Sequence, residues 1–260
     1  MMKERFRKRH PYICAIGAAF LCTFMTGLGT AIPQILNLQI EMQLIVTTIF
    51  LIFSVFISLF IINKTGLSLI ECGFRLQKRN TLKKVMHYIP LVLIEVIAIL
   101  LLGFSAEITV KQYIVLLLFV IAVGFNEEIY FRGIAYNFLL VKGSKTAIIF
   151  SSIIFGVLHL ANALNGKSLV YLILQMIFAF LVGFVLAEIV SITKSLWFLI
   201  IWHALHDYIA SITCEDWGIK AIITLALQVC ILLIYAIVIW KTCKKLETDN
   251  LRSDNLETIS

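Results

Sequence analysis

The stretch "FNEEIYFRG", residues 125–133, sets two adjacent carboxylates, Glu127 and Glu128, and a guanidinium, Arg132, between the apolar runs "YIVLLLFVIAVG" and "IAYNFLLV". Two more stretches carry imidazoles into equally apolar surroundings: "FGVLH" ends on His159, and "HALHD" holds His203, His206 and Asp207. An ionised group inside hydrocarbon costs about 3 kcal/mol or more, so residues of this kind are functional-site candidates by default. A carboxylate beside imidazoles can take a proton from water, and a histidine can donate to a developing oxyanion. No Ser, Cys or Thr is paired with these groups in a way that dictates a covalent intermediate. The HExxH spacing is absent. Glu127, His159 and His203 are nevertheless of the types that hold Zn2+. Hydrolysis by an activated water fits with Zn2+ or with no metal, and both stay open.

Helical spacing says which of these groups can meet. Glu128 and Arg132, at i and i+4, share a face and can pair. Glu127 is turned about 100° from Glu128 and is free to point elsewhere. His203 and Asp207 are again i and i+4, so the aspartate can set the imidazole tautomer and raise its basicity. His206, at i+3, reads as a supporting or interface histidine. Glu95 and Glu188 read as snorkelling or pairing groups with no assigned part in the chemistry. Counted along the helix axis, Glu127 lies roughly 22 Å from Lys142 and His159 roughly 21 Å from Lys145. Arg132 comes out about 15 Å deep, and His203 about 13 Å from Lys194. Three helices can therefore converge on one polar pocket inside the hydrocarbon layer.

The elements that must position them are membrane spans. With 61% hydrophobic residues and 14% charged in 260, the chain does not describe a soluble domain; its mean hydropathy is +0.99. Apolar stretches long enough to cross a roughly 30 Å core recur at 11–32, 42–63, 85–104, 113–141, 145–162, 168–190, 195–212 and 219–240. The expectation is an all-α, polytopic helical bundle of about eight transmembrane helices, one domain over 1–245 with a disordered polar tail at 246–260. Eight spans place all but four of the 22 basic residues on the side of both termini, which predicts cytoplasmic termini. The net charge of +7 then reports topology and contact with the lipid bilayer, and the pattern excludes a nucleic-acid partner. Residues 64–84 read as a basic interfacial segment. The first span reads as uncleaved, being longer than a signal-peptide core. The six cysteines show neither metal nor disulfide spacing.

Glu127-Glu128-x-x-x-Arg132, Phe155-x-x-x-His159 and His203-x-x-x-Asp207, in that order and each on its own span, resemble the motifs of the CPBP family (CAAX proteases and bacteriocin-processing enzymes, also called Abi). The resemblance is carried by the core motifs within 113–212. It implies an intramembrane endopeptidase in which Glu127 activates the water with help from His159, Glu128 and Arg132 organise the site, and His203 stands near the oxyanion. Asp207 conforms to the family's Asn-or-Asp position, and Phe155 would pack the pocket. Members have been described both as metalloproteases and as glutamate-dependent proteases, so the resemblance too leaves Zn2+ open. The partner it implies is a hydrophobic peptide or membrane-anchored protein substrate: a peptide-pheromone precursor, a bacteriocin leader or a prenylated C-terminus. The Lys-, Ile-, Asn- and Phe-rich composition looks bacterial, which favours the bacterial cell membrane and the first two substrates. A non-catalytic immunity or regulatory protein of the same fold is the alternative. A coupled transporter is a third reading, opposed by the lack of internal repeats and of paired broken helices.

Overall fold

A backbone surrounded by hydrocarbon must satisfy its own N–H and C=O groups, so each apolar stretch becomes a helix. The computed structural model describes residues 2–76, 88–105, 108–165, 169–213 and 219–257. Residues 77–87, which include His87 and the end of the expected basic interfacial segment, lie outside these, as do residues 214–218, whose sequence CEDWG reads as a short acidic connection. A short basic helix α1 (Met2–Arg9) leads into α2 (Pro11–Ile35) and α3 (Ile40–Thr65). Then come α4 (Ile89–Leu102), α5 (Val110–Glu128), α6 (Ser144–Leu158), α7 (Leu169–Thr193), α8 (Trp197–Ile212) and α9 (Ile219–Glu257). A reciprocal capping box of Thr109 and Gln112 starts α5. At its far end α5 runs without a break into a π-helical stretch, Ile129–Ala135, and a last turn, Tyr136–Leu139. Among the described residues there is no strand, only an isolated bridge between Phe104 and Thr213.

The molecule is an integral membrane helical bundle: among the described residues, six helical stretches are long and apolar enough to cross a membrane. The other two expected spans are shorter, α4 having 14 residues and α8 having 16. At 1.5 Å per residue these reach about 21 and 24 Å. They are stitched to each other instead. Trp202 Nε1 donates to Leu91 O at 3.0 Å, His206 Nδ1 lies 2.9 Å from Glu95 Oε1, and Ser105 N, just past α4, donates to Ile212 O at the end of α8 at 2.8 Å.

Large apolar side chains such as Phe20, Phe53, Phe56 and Phe60 point outward, where lipid would meet them. Small residues line the helix contacts: a Cβ on Gly29 would sit 2.9 Å from Phe50 Cβ, and Thr47 Oγ1 donates to Gly29 O at 2.8 Å. At the centre stands α5 with its π-helical extension, packed on α2, α3, α6 and α8.

Two peripheral stretches show local detail beyond the sequence expectations. The described part of the basic connection, up to residue 76, forms turns that dock on the α7–α8 corner: Arg75 Nε donates to Lys194 O at 2.7 Å and Leu196 N to Gly73 O at 3.0 Å. The backbone of α9 stays helical to Glu257, into the stretch expected to be disordered. Extending an existing helix requires no new nucleus, which is the costly step of helix formation.

Candidate active site

The site grows from the place where α5 changes its winding. Ile129–Ala135 is π-helical and buried throughout, with Arg132 at its middle. A π-helical turn opens the backbone ladder and is frequently found at functional sites. The altered winding keeps the expected pair: Arg132 Nη1 donates to Glu128 Oε1 at 2.9 Å, with both side chains essentially inaccessible. The flat face of the guanidinium lies 4.2 Å from the centroid of Phe155 on α6, in cation–π contact. Gly183 on α7 makes room for this stack, since a Cβ there would come within 3.0 Å of the Phe155 ring.

His203 arrives from α8 because α8 can approach α5 closely. A Cβ on Gly124 would lie 2.8 Å from Ile200 O and 3.2 Å from Ala204 N. The approach sets His203 Nδ1 at 2.7 Å from Glu128 Oε1. A carboxylate already bonded to a guanidinium can only accept, so Nδ1 carries the proton and Nε2 points the other way. There it meets Glu127 Oε2 at 3.6 Å and Asp207 Oδ2 at 3.7 Å. The orienting carboxylate of His203 is thus Glu128, not the expected Asp207, which stands beyond hydrogen-bond distance. The i, i+4 rule brings Asp207 near, but Glu128 reaches the ring from another helix.

His159 is positioned by a helix ending. The last carbonyls of α6 have no partner further along the helix. His159 Nδ1 takes one of them, Phe155 O, at 2.8 Å. A carbonyl only accepts, so the proton again sits on Nδ1 and Nε2 is left with its lone pair. The His159 ring also meets Phe155 edge-on, with centroids 4.6 Å apart. Glu127 is within electrostatic reach of His159, His203, Asp207 and Glu128 together. Its Oε2 is buried and has no hydrogen-bond partner among the described residues. Phe131, Arg132, His159 and His203 all gather around the single ring of Phe155.

So Glu127, Glu128, Arg132, Phe155, His159, His203 and Asp207 stand in one cluster drawn from three helical stretches. Residues 109–209 match the Rce1-like family, described as type II CAAX prenyl endopeptidase. The matched segment contains every one of these side chains and the π-helical turn. The match supports a CAAX-type membrane endopeptidase as the general activity. No curated protein and no solved structure matches the chain.

The residues that sequence reasoning passed over are mostly those that position the cluster. Gly124, one turn before Glu128, was a legible signal, since a glycine inside a membrane helix often marks a close helix approach. Buried Asn126 donates to Cys22 Sγ at 3.2 Å and so ties α5 to α2 beside Glu127. The Glu95–His206 pair is a second buried carboxylate–imidazole contact, set between the rings of Trp202 and Phe178. Glu188 lies buried on α7, apart from the cluster. Among the described residues no group of three or more His, Cys, Asp or Glu side chains is arranged to hold a metal ion, so Glu127, His159 and His203 do not form such a group as they stand.

Proposed function

We propose that the protein hydrolyses peptide bonds within the membrane, with Glu127 as the general base. A water in contact with Glu127 Oε2 and His159 Nε2 gives up a proton as its oxygen attacks the scissile carbonyl carbon. The carbonyl oxygen then becomes an oxyanion, which the protonated Nε2 of His203 stabilises while Nδ1 stays on Glu128. Collapse of the tetrahedral species breaks the C–N bond, and Glu127 returns the proton to the leaving amine. Arg132 holds Glu128 in place through the 2.9 Å ion pair, and Asp207 adds negative charge near Nε2. The observation that carries the reading is one imidazole between two carboxylates, 2.7 Å from Glu128 and 3.6 Å from Glu127, at a buried site.

The substrate we infer is a hydrophobic or lipid-modified peptide. The description of the matched family names a prenylated C-terminus; a peptide-pheromone precursor or a bacteriocin leader offers the same chemistry. Both termini face the cytoplasm in this reading, in a bacterial cell membrane, because the basic residues gather on that side.

Glu127→Gln keeps the shape and removes the base. Cleavage of a farnesylated C-terminal peptide and of a hydrophobic leader peptide, followed by mass spectrometry in reconstituted vesicles, should fall about a thousandfold for the substrate that the wild type cuts. Wild-type rates in the variant, with the same elution profile, would sink the proposal. A chelator arm on the same vesicles separates a reaction run by these side chains alone, which keeps its rate, from one that needs Zn2+.

A further inference from the structure

Away from this cluster, an apolar groove of about 620 Å³ opens between the first half of α2, the end of α3 and the Tyr136–Leu139 turn. Its volume lies within the roughly 300–1,000 Å³ typical of small-molecule sites. Gly17, Ala18, Leu21, Ile61 and Phe138 line it, and its one cation is Arg7. The Thr65 hydroxyl at its edge is already committed, donating to Ile61 O at 2.8 Å.

Arg7 is only 9% exposed, with its guanidinium carbon 5.8 Å from the centroid of Phe138. Its Nε is buried with no hydrogen-bond partner, and no carboxylate pairs with it among the described residues. Glu71 is near enough to feel the charge, but its Oε2 is held by Ser68 N and Oγ at 2.7 and 2.8 Å. Those bonds keep its carboxyl below the usual carboxylate range. A buried cation without a counter-ion is unfavourable and calls for an anion from outside the chain.

The position of the groove says which anion. Arg7 stands one turn before Pro11, Thr65 follows Lys64, and Phe138 is one turn before Lys142, so the cationic end lies at the level where a headgroup would be. Arg5, Lys8 and Arg9 are exposed around it and add to the positive field. We propose that the groove binds one anionic phospholipid, its phosphate on the Arg7 guanidinium and one acyl chain along Gly17, Ala18 and Leu21. A guanidinium fork fits two phosphate oxygens, and the apolar wall replaces bilayer contacts. This site is independent of the reaction at Glu127.

The test uses the full-length protein in mixed micelles with phosphatidylglycerol or phosphatidylcholine, read by native mass spectrometry. The wild type should retain one phosphatidylglycerol per chain, about tenfold more tightly than phosphatidylcholine. Arg7→Gln should abolish that preference, and Arg7→Lys should keep part of it. Gly17→Leu supplies an arm that does not depend on Arg7. A Cβ at Gly17 meets nothing within 4 Å, so the new side chain fills the groove without a clash. It should lower retention of phosphatidylglycerol about tenfold with unchanged elution and melting temperature. Equal retention of the two lipids by the wild type, or full retention by Gly17→Leu, overturns the proposal. So does a lipid-free dimer, which would give the groove to a second copy.

Discussion

Helix α8 carries two histidines three residues apart, and each reaches a buried glutamate on another helix through Nδ1: His203 to Glu128 at 2.7 Å and His206 to Glu95 at 2.9 Å. By pair geometry alone they are equivalent. Their surroundings are not. The ring of His206 lies between Trp202 and Phe178, each 5.3 Å away and close to parallel. Glu95 has no cation beyond His206 among the described residues, and its Oε2 is buried without a partner. His203 has a guanidinium behind its glutamate and two more carboxylates in front of its second nitrogen. A buried imidazole–carboxylate contact is therefore no sign of chemistry by itself. In the proposed reaction, what sets the His203–Glu128 pair apart is that its glutamate has a counter-charge and its imidazole keeps a nitrogen facing another acid or base.

The largest expected effect breaks this comparison outright. His203→Gln removes the nitrogen that faces Glu127 and should lower kcat about a thousandfold, since loss of an oxyanion donor or acid–base group costs that much. His206→Gln keeps a donor for Glu95 and should change kcat less than about tenfold, the loss of one supporting hydrogen bond. Equal losses in two folded variants would place both pairs in the reaction and remove the distinction. Peptide-cleavage kinetics in vesicles, with the elution profile as the folding check, decide it.

A second contrast sharpens the role of the counter-charge. Glu128→Gln strands the Arg132 guanidinium, which has 1% exposure and no other carboxylate within ion-pair distance among the described residues. Removing one partner of a buried pair costs about 3 kcal/mol or more. Glu95→Gln strands no guanidinium and should cost about 1 kcal/mol, the worth of one hydrogen bond. Denaturant titration of the two variants in the same detergent reads the difference. Equal destabilisation would mean that Arg132 has found another partner.

Much of this is legible in the sequence alone. Glu127, Glu128, Arg132, His159 and His203 are dear to keep in hydrocarbon, and helix rise alone put them at comparable depth. The eight apolar stretches each became a helix, for the same reason that makes a bare backbone intolerable in lipid. What escaped was the cross-helix detail. Periodicity within α8 assigned His203 to Asp207, because i, i+4 neighbours are all that one helix can announce. The partner it bonds, Glu128, depends on Gly124 letting two backbones close together. Nor does residue spacing announce π-winding: Glu128 and Arg132 can pair either way. The expected span 85–104 overran α4 at both ends: residues 85–87 lie outside the described ones, and Gly103, with φ of +72°, ends the helix before Phe104.

The smallest effect tests the rings. Phe155 supports the reactive cluster by facing Arg132 at 4.2 Å and meeting His159 and His203 edge-on, whereas Phe178 only stacks on His206. Leucine at either position keeps most of the bulk and removes the ring's negative face. At Phe155 that forfeits the cation–π contact, about 2 kcal/mol when desolvated, and loosens the rotamers of Arg132 and His159. A drop of about 6 °C in Tm is expected for Phe155→Leu in a chain of this size. The same variant should lose several-fold in kcat with KM nearly unchanged, because the disturbed groups act in the transition state more than in binding. For Phe178→Leu the kcat should hold. If instead Phe178→Leu lowered kcat and Phe155→Leu did not, the ring beside His206 would be the one that matters, and the two pairs on α8 would have to exchange roles.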